Sequence, residues 1–107
     1  MHYNVETTEH FDKWLRKLKD RSARITIVER ITKIQSTGHF GDFKVISNDL
    51  YELRLFIGPG YRVYYTVRHG QLVILLAGGD KDSQSRDIEK AKELLLGLPK
   101  EAAPDAH

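Results

Sequence analysis

Cysteine is absent from this chain, so neither a disulfide nor a thiolate-held metal can contribute to its stability or its chemistry. Long apolar runs are absent too. Nothing approaches the ~20 consecutive apolar residues that span a bilayer. The opening residues MHYNVETTEH lack the basic-then-apolar layout of a signal peptide. A cytoplasmic protein with no membrane partner is therefore expected. A large net charge is also missing. The formal value is +2, with a pI of about 8.9, and that alone is weak support for nucleic-acid binding. A catalytic histidine pair is not expected. His2, His10, His39 and His69 fall on the N-terminal edge, a helical pattern and turns, and His107 lies in the tail. Asp80, Asp82 and Asp87 can in principle hold Mg²⁺, but helix capping explains them better. No metal and no other cofactor is expected.

What is present fits one small α+β domain. The 107 residues suggest a single unit, with a core of modest size. A short strand over residues 3–6 precedes a helix capped by Thr7 or Thr8. Phe11, Trp14, Leu15 and Leu18 follow at i, i+3, i+4 and i+7, which marks one apolar helix face. A break at Asp20-Arg21-Ser22 leads to a second helix with Ala23, Ile27, Val28, Ile31 and Ile34 on one side. Gly38 is placed to end it. The pair reads as an antiparallel helical hairpin. Its basic residues, Arg16 and Arg24 among them, suit either a solvated face or a working basic patch.

The remainder alternates as β-structure. A strand near residues 43–46 is followed by strands over 51–57 and 61–67 around Gly58-Pro59-Gly60. His69-Gly70 forms the next turn, into the apolar run LVILLA. After Gly78-Gly79, a third helix starts at Ser83 or Ser85, with Ile88, Ala91, Leu94 and Leu95 on its apolar face. The domain is expected over residues 1–96 and a flexible tail over 97–107.

Strand side chains alternate between faces. With Ile57 opposite Tyr61, Arg54 and Arg62 fall on one face together with Glu52, Phe56 and Tyr64. Ala77 and Gly79 extend that face as an open floor, and Lys81 follows. Two readings apply. The arginines can snorkel and pair with Glu52, Asp80 or Asp82 on a wet sheet face. Alternatively Arg54, Arg62, Tyr64 and Lys81 form a phosphate site, with Lys44 and Glu52 at its margin. Guanidinium groups grip phosphate oxygens in pairs, and Phe56 and Tyr64 can stack on bases.

The segments TTEHFDKWLRKLKD, HFGDFKVI, YELRLFIGPGYRVYYT and LLAGGDKDSQSRDIEKAKEL, taken in order, resemble the RelE/ParE toxin superfamily of bacterial toxin–antitoxin modules. The HigB-like addiction module killer proteins are the most similar group. The resemblance runs from Thr7 to about Leu95. It implies an N-terminal strand and helical hairpin on one face of a small twisted antiparallel sheet, plus a C-terminal helix. It also implies a ribosome-dependent mRNA endoribonuclease that inhibits translation without a metal. Arg62, Arg54 and Lys81 would be its basic site residues, with Tyr64 beside them. Lys44, Phe56, Arg16 and Arg24 would contact RNA, and the chemistry of such cleavage leaves Lys81, Tyr64 and Glu52 as candidates for proton transfer. The implied partners are the ribosome, mRNA and a cognate antitoxin with a helix-turn-helix region, through which alone operator DNA would be bound. A ParE-like inhibitor of DNA gyrase on the same fold is the alternative. The C-terminal tyrosine or histidine common in the family is not matched here.

Overall fold

The computed structural model describes residues 2–99 and holds a five-stranded sheet with helices against both faces. In chain order the elements are β1 (Asn4–Thr7), α1 (Glu9–Lys17), α2 (Arg21–Thr37), β2 (Phe43–Ser47), β3 (Leu50–Leu55), β4 (Tyr61–Arg68), β5 (Leu72–Asp80) and α3 (Gln84–Leu96). The strand order is β1-β5-β4-β3-β2. β2 to β5 form the expected antiparallel run. β1 differs, because it joins β5 in parallel, with Asn4 opposite Leu72.

Local chemistry sets the helix ends. Thr8 caps α1, its hydroxyl accepting from the Phe11 amide at 3.0 Å. The same hydroxyl donates to the Leu76 carbonyl at 2.7 Å, which ties the helix start to β5. Asp20 caps α2 by accepting from the Ala23 amide at 3.0 Å. Gly38 closes α2 at φ 77°, a left-handed conformation that glycine adopts without steric cost. The inner side of this hairpin packs Phe11, Ala23, Ile27 and Ile34 on Leu53, Leu55, Val63, Val73 and Leu75. Val28, expected on that inner side, is instead about half exposed.

α3 takes the opposite face. Ala91 is buried there with Tyr64, Leu76 and Ala77, and Ile88, Leu94 and Leu95 pack around them. A bulge in β5 makes this possible. Tyr64 lies opposite Ala77, yet Tyr65 lies opposite Leu75, so Leu76 is an extra residue. Leu75 joins the hairpin's core, and Leu76 and Ala77 both join the core under α3.

Two adjacent glycines let both layers approach closely. A Cβ on Gly78 would overlap the Trp14 ring, and one on Gly79 would overlap Ser83 and Asp87. The expected tail holds some structure at its start. Leu98 packs against the α3 core, and Arg68 Nη1 donates to the Pro99 carbonyl at 2.8 Å. The rest of that tail lies outside the described residues.

Candidate active site

β3 and β4 bring Arg54 and Arg62 directly opposite each other, on the face that α3 partly covers. The hairpin closes with Leu55 opposite Tyr61, which makes its loop two residues longer than Ile57 opposite Tyr61 would, and the loop runs from Phe56 to Gly60. Arg54 therefore faces Arg62 rather than Tyr64, and Tyr64 faces Glu52. A shift of two residues preserves the pleat, and all four side chains stay on the expected face.

The two arginines have different surroundings. The Arg62 side chain is 11% exposed, and its Nη1 donates to Glu52 Oε1 at 3.4 Å. Glu52 is fully buried, and its second oxygen accepts from Gln84 Nε2 of α3 at 2.8 Å. Arg62 Nε is buried without a hydrogen-bond partner among the described residues. Arg54 is 33% exposed. Its Nε donates to Asp42 Oδ2 at 3.3 Å, and its guanidinium lies 5.4 Å from the centre of the Phe56 ring. Phe56 is 73% exposed, so the pair forms a flat cationic and aromatic surface at the hairpin turn.

The other expected residues divide in three ways. Tyr64 lies wholly beneath α3, as does Glu52, and neither meets solvent. Burial first, then the Glu52 carboxylate, and more weakly Asp87, push the Tyr64 hydroxyl well above its ordinary value of 10.0, with Arg62 opposing them. It stays protonated at neutral pH. Lys81 is exposed just past β5, its Cβ close to Gly60 of the hairpin turn, and Lys44 is exposed on edge strand β2 opposite Glu52. These two remain at the site's margins. Arg16 and Arg24 belong to the α1/α2 layer on the other side of the sheet, away from Arg54 and Arg62.

Sequence reasoning placed an open floor at Ala77 and Gly79. That floor is occupied. Gly79 receives Asp87 and Ser83 from the start of α3, and those two side chains are themselves hydrogen bonded. The Asp80 carboxylate accepts from the Ser83 amide at 3.1 Å, and Ser83 Oγ accepts from the Asp80 amide at 3.2 Å, which locks the strand-to-helix turn. Asp80 thus serves the turn, as its helix-capping position suggested.

Three supporting residues were not foreseen. Asp42 holds Arg54, Gln84 holds Glu52, and Arg30 holds the loop behind them. Arg30 Nη1 donates to the Phe40 carbonyl at 3.0 Å and more weakly to that of Asp42 at 3.5 Å, while Nη2 donates to the Arg54 carbonyl at 3.0 Å. Asp42 was within reach of pattern reading, because one more antiparallel step from Lys44 opposite Glu52 places it beside Arg54. Arg30 and Gln84 act from helices, and strand pattern says nothing of them. Among the described residues no three His, Asp or Glu side chains gather as a metal site. No described helix is long and apolar enough to cross a membrane.

This arrangement, a five-stranded sheet with a helical hairpin on one face and a helix on the other, is the RelE toxin fold. A mutant of the Escherichia coli toxin RelE in the free state superposes with a TM-score of 0.63 at 21% identity, covering 84% of this chain and 98% of that one. The toxin of the intact E. coli RelBE toxin–antitoxin complex gives 0.60 at 22% identity, over 73% and 95%. An archaeal RelE–RelB complex from Pyrococcus horikoshii gives 0.51 at 21%, over 76% and 97%. Through residues 13–96, the chain belongs to the family described as Phage derived protein Gp49-like (DUF891). An uncharacterized protein of Haemophilus influenzae is 48% identical over 100 residues, which is 92% of this chain and all of that one.

Proposed function

We propose that this chain is the toxin of a type II toxin–antitoxin module, a metal-independent endoribonuclease that cuts mRNA on the ribosome and is neutralised by a cognate antitoxin. The observation that carries the reading is the pair Arg54 and Arg62, side by side on adjacent strands, with Lys81 next to the hairpin turn. The fold is shared with proteins described as RelE toxins, two of them in complexes with antitoxin.

In metal-free RNA cleavage a ribose 2′-oxygen attacks the adjacent phosphorus, and the 5′-oxygen leaves. The phosphate gains negative charge, which fixed cations stabilise. Arg54, partly exposed and already braced by Asp42, fits that task, and its guanidinium can take two phosphate oxygens. Arg62 adds positive charge from below, held by Glu52. Exposed Phe56 offers a stacking surface for a base. Tyr64 and Glu52 are sealed under α3, so neither has access to a substrate proton in this arrangement, and Glu52 serves to position Arg62. Lys81 is the exposed candidate for proton transfer.

The test is a 5′-end map of cellular mRNA minutes after induction, beside Arg54→Ala and Arg62→Lys variants. Arg54→Ala is the cleaner probe, because its partly exposed ion pair with Asp42 contributes only about 0–1 kcal/mol to stability. Cuts confined to translated regions, present with the wild type and lost with Arg54→Ala, are expected. Growth arrest with intact mRNA and a DNA-damage response would replace this reading with gyrase inhibition.

A further inference from the structure

Arg30 stands on α2, but its guanidinium reaches the two segments that carry Arg54 and Asp42. The Arg54 amide donates to the Asp42 carbonyl at 3.0 Å. In an antiparallel pair the Arg54 carbonyl would take the return bond from the Asp42 amide. It accepts from Arg30 Nη2 instead, at 3.0 Å. Arg30 Nη1 donates to the carbonyls of Phe40, at 3.0 Å, and Asp42, at 3.5 Å. Gly41, between those two, stands at φ 76°, and a Cβ there would lie 3.0 Å from Nη1. A larger residue at that position would press on the guanidinium. Arg30 forms no ion pair among the described residues, and its hydrogen bonds all go to these backbone carbonyls.

We infer that Arg30 is a positioning residue for Arg54: it fixes, through the backbone, the guanidinium that takes the phosphate. This rests on the function proposed above. Cations stabilise charge growing on a phosphate best where they are already in place. The contact with Asp42 does not hold Arg54 by itself, because a partly exposed ion pair with one 3.3 Å bond is weak and the arginine side chain is long. A planar fork joined to the backbone on both sides of that pair does. Lysine carries the same charge but not the fork, so it does not span the Phe40 and Arg54 carbonyls in the same way. Direct contact with RNA is the rival role, since Arg30 also lines a pocket of about 430 Å³ with Lys33 and His39.

The experiment compares wild type, Arg30→Lys, Arg54→Ala and the double variant in cleavage of ribosome-bound mRNA by the purified chain. Misplacing Arg54 by about 1 Å should lower kcat of Arg30→Lys on the order of 100-fold, with KM little changed. The double variant should be no worse than Arg54→Ala, because Arg30 acts through Arg54. In nuclear magnetic resonance, the Arg54 Nε–H signal should move toward that of a free arginine in Arg30→Lys, while the Arg62 Nε–H signal stays in place. A raised KM with kcat unchanged, a further loss in the double variant, or an unmoved Arg54 signal would overturn the proposal. Gly41→Ala keeps every Arg30 donor but displaces the group, and it is read in the same way if Arg30→Lys fails to fold. If the wild type leaves mRNA uncut, the nuclease reading fails, and the Arg54 signal alone decides whether Arg30 holds that side chain.

Discussion

The two faces of the sheet solve the same burial problem in different ways. Under α1 and α2 the contact is almost wholly hydrocarbon and aromatic, from Phe11 and Ile27 to Leu53 and Val73. Under α3 a small apolar cluster around Tyr64 and Leu76 adjoins a polar group in which Arg62 and Gln84 hold the buried Glu52. The first arrangement depends on shape. The second depends on charge balance, because a buried carboxylate is tolerable only while its partners remain. A face of this kind can keep a guanidinium fixed and partly dehydrated, at the cost of depending on each member of the set.

The sharpest way to break that contrast is Arg62→Ala. It strands the fully buried Glu52, and a loss of about 3–5 kcal/mol is expected in urea unfolding. Adding Glu52→Gln should restore a large part. A loss no greater than that of Arg54→Ala would mean that Glu52 carries no buried charge. Activity lost in Arg62→Ala alone therefore says little about catalysis, which is why Arg62→Lys belongs beside it.

The glycine pair separates the faces next. Gly78→Ala pushes on Trp14 and Gly79→Ala on Asp87 and Ser83. Each is expected to cost about 1–3 kcal/mol through overpacking. The first should change tryptophan fluorescence. The second should speed amide exchange in the first turn of α3. Reversed signatures would show that the two layers do not meet on these residues.

The smallest effect is a dependence on alkaline pH. Tyr64 lies on one face and Tyr65 on the other, and burial raises both well above 10.0. Below pH 10 both keep their protons, folded or unfolded, and stability is unaffected by them. Above it the unfolded tyrosines ionise first, so stability falls with rising pH, by about 1.4 kcal/mol per unit for each such group. Denaturant midpoints between pH 9 and 11 should show this fall, and Tyr64→Phe should make it shallower. An unchanged slope would mean that Tyr64 ionises freely in the folded protein.

Much of this architecture was legible in local pattern. The helix cap at Thr8, the break at Asp20, the end at Gly38 and the shared face of Arg54, Arg62, Glu52 and Tyr64 all follow from short-range chemistry. Face assignment survived an error of two residues in the hairpin register, because parity alone decides it. What escaped was decided at long range. Nothing near Gly78-Gly79 says that α3 folds back over the arginines, so the covered floor read as an open one. The bulge at Leu76 is also invisible, since LVILLA is apolar throughout. Arg30 looked like one more surface cation, although it joins three backbone carbonyls across two layers.

The parallel pairing of β1 with β5 bears on the order of assembly. β2, β3, β4 and β5 meet close neighbours in sequence, so their loops close at small entropic cost. β1 must wait for a partner far along the chain: Thr8, at its end, bonds to Leu76, 68 residues away. During synthesis the first strand therefore emerges early and stays unpaired until most of the chain has followed. Its docking should then follow the rate-limiting step of folding, and mutations in β1 should change the unfolding rate more than the folding rate.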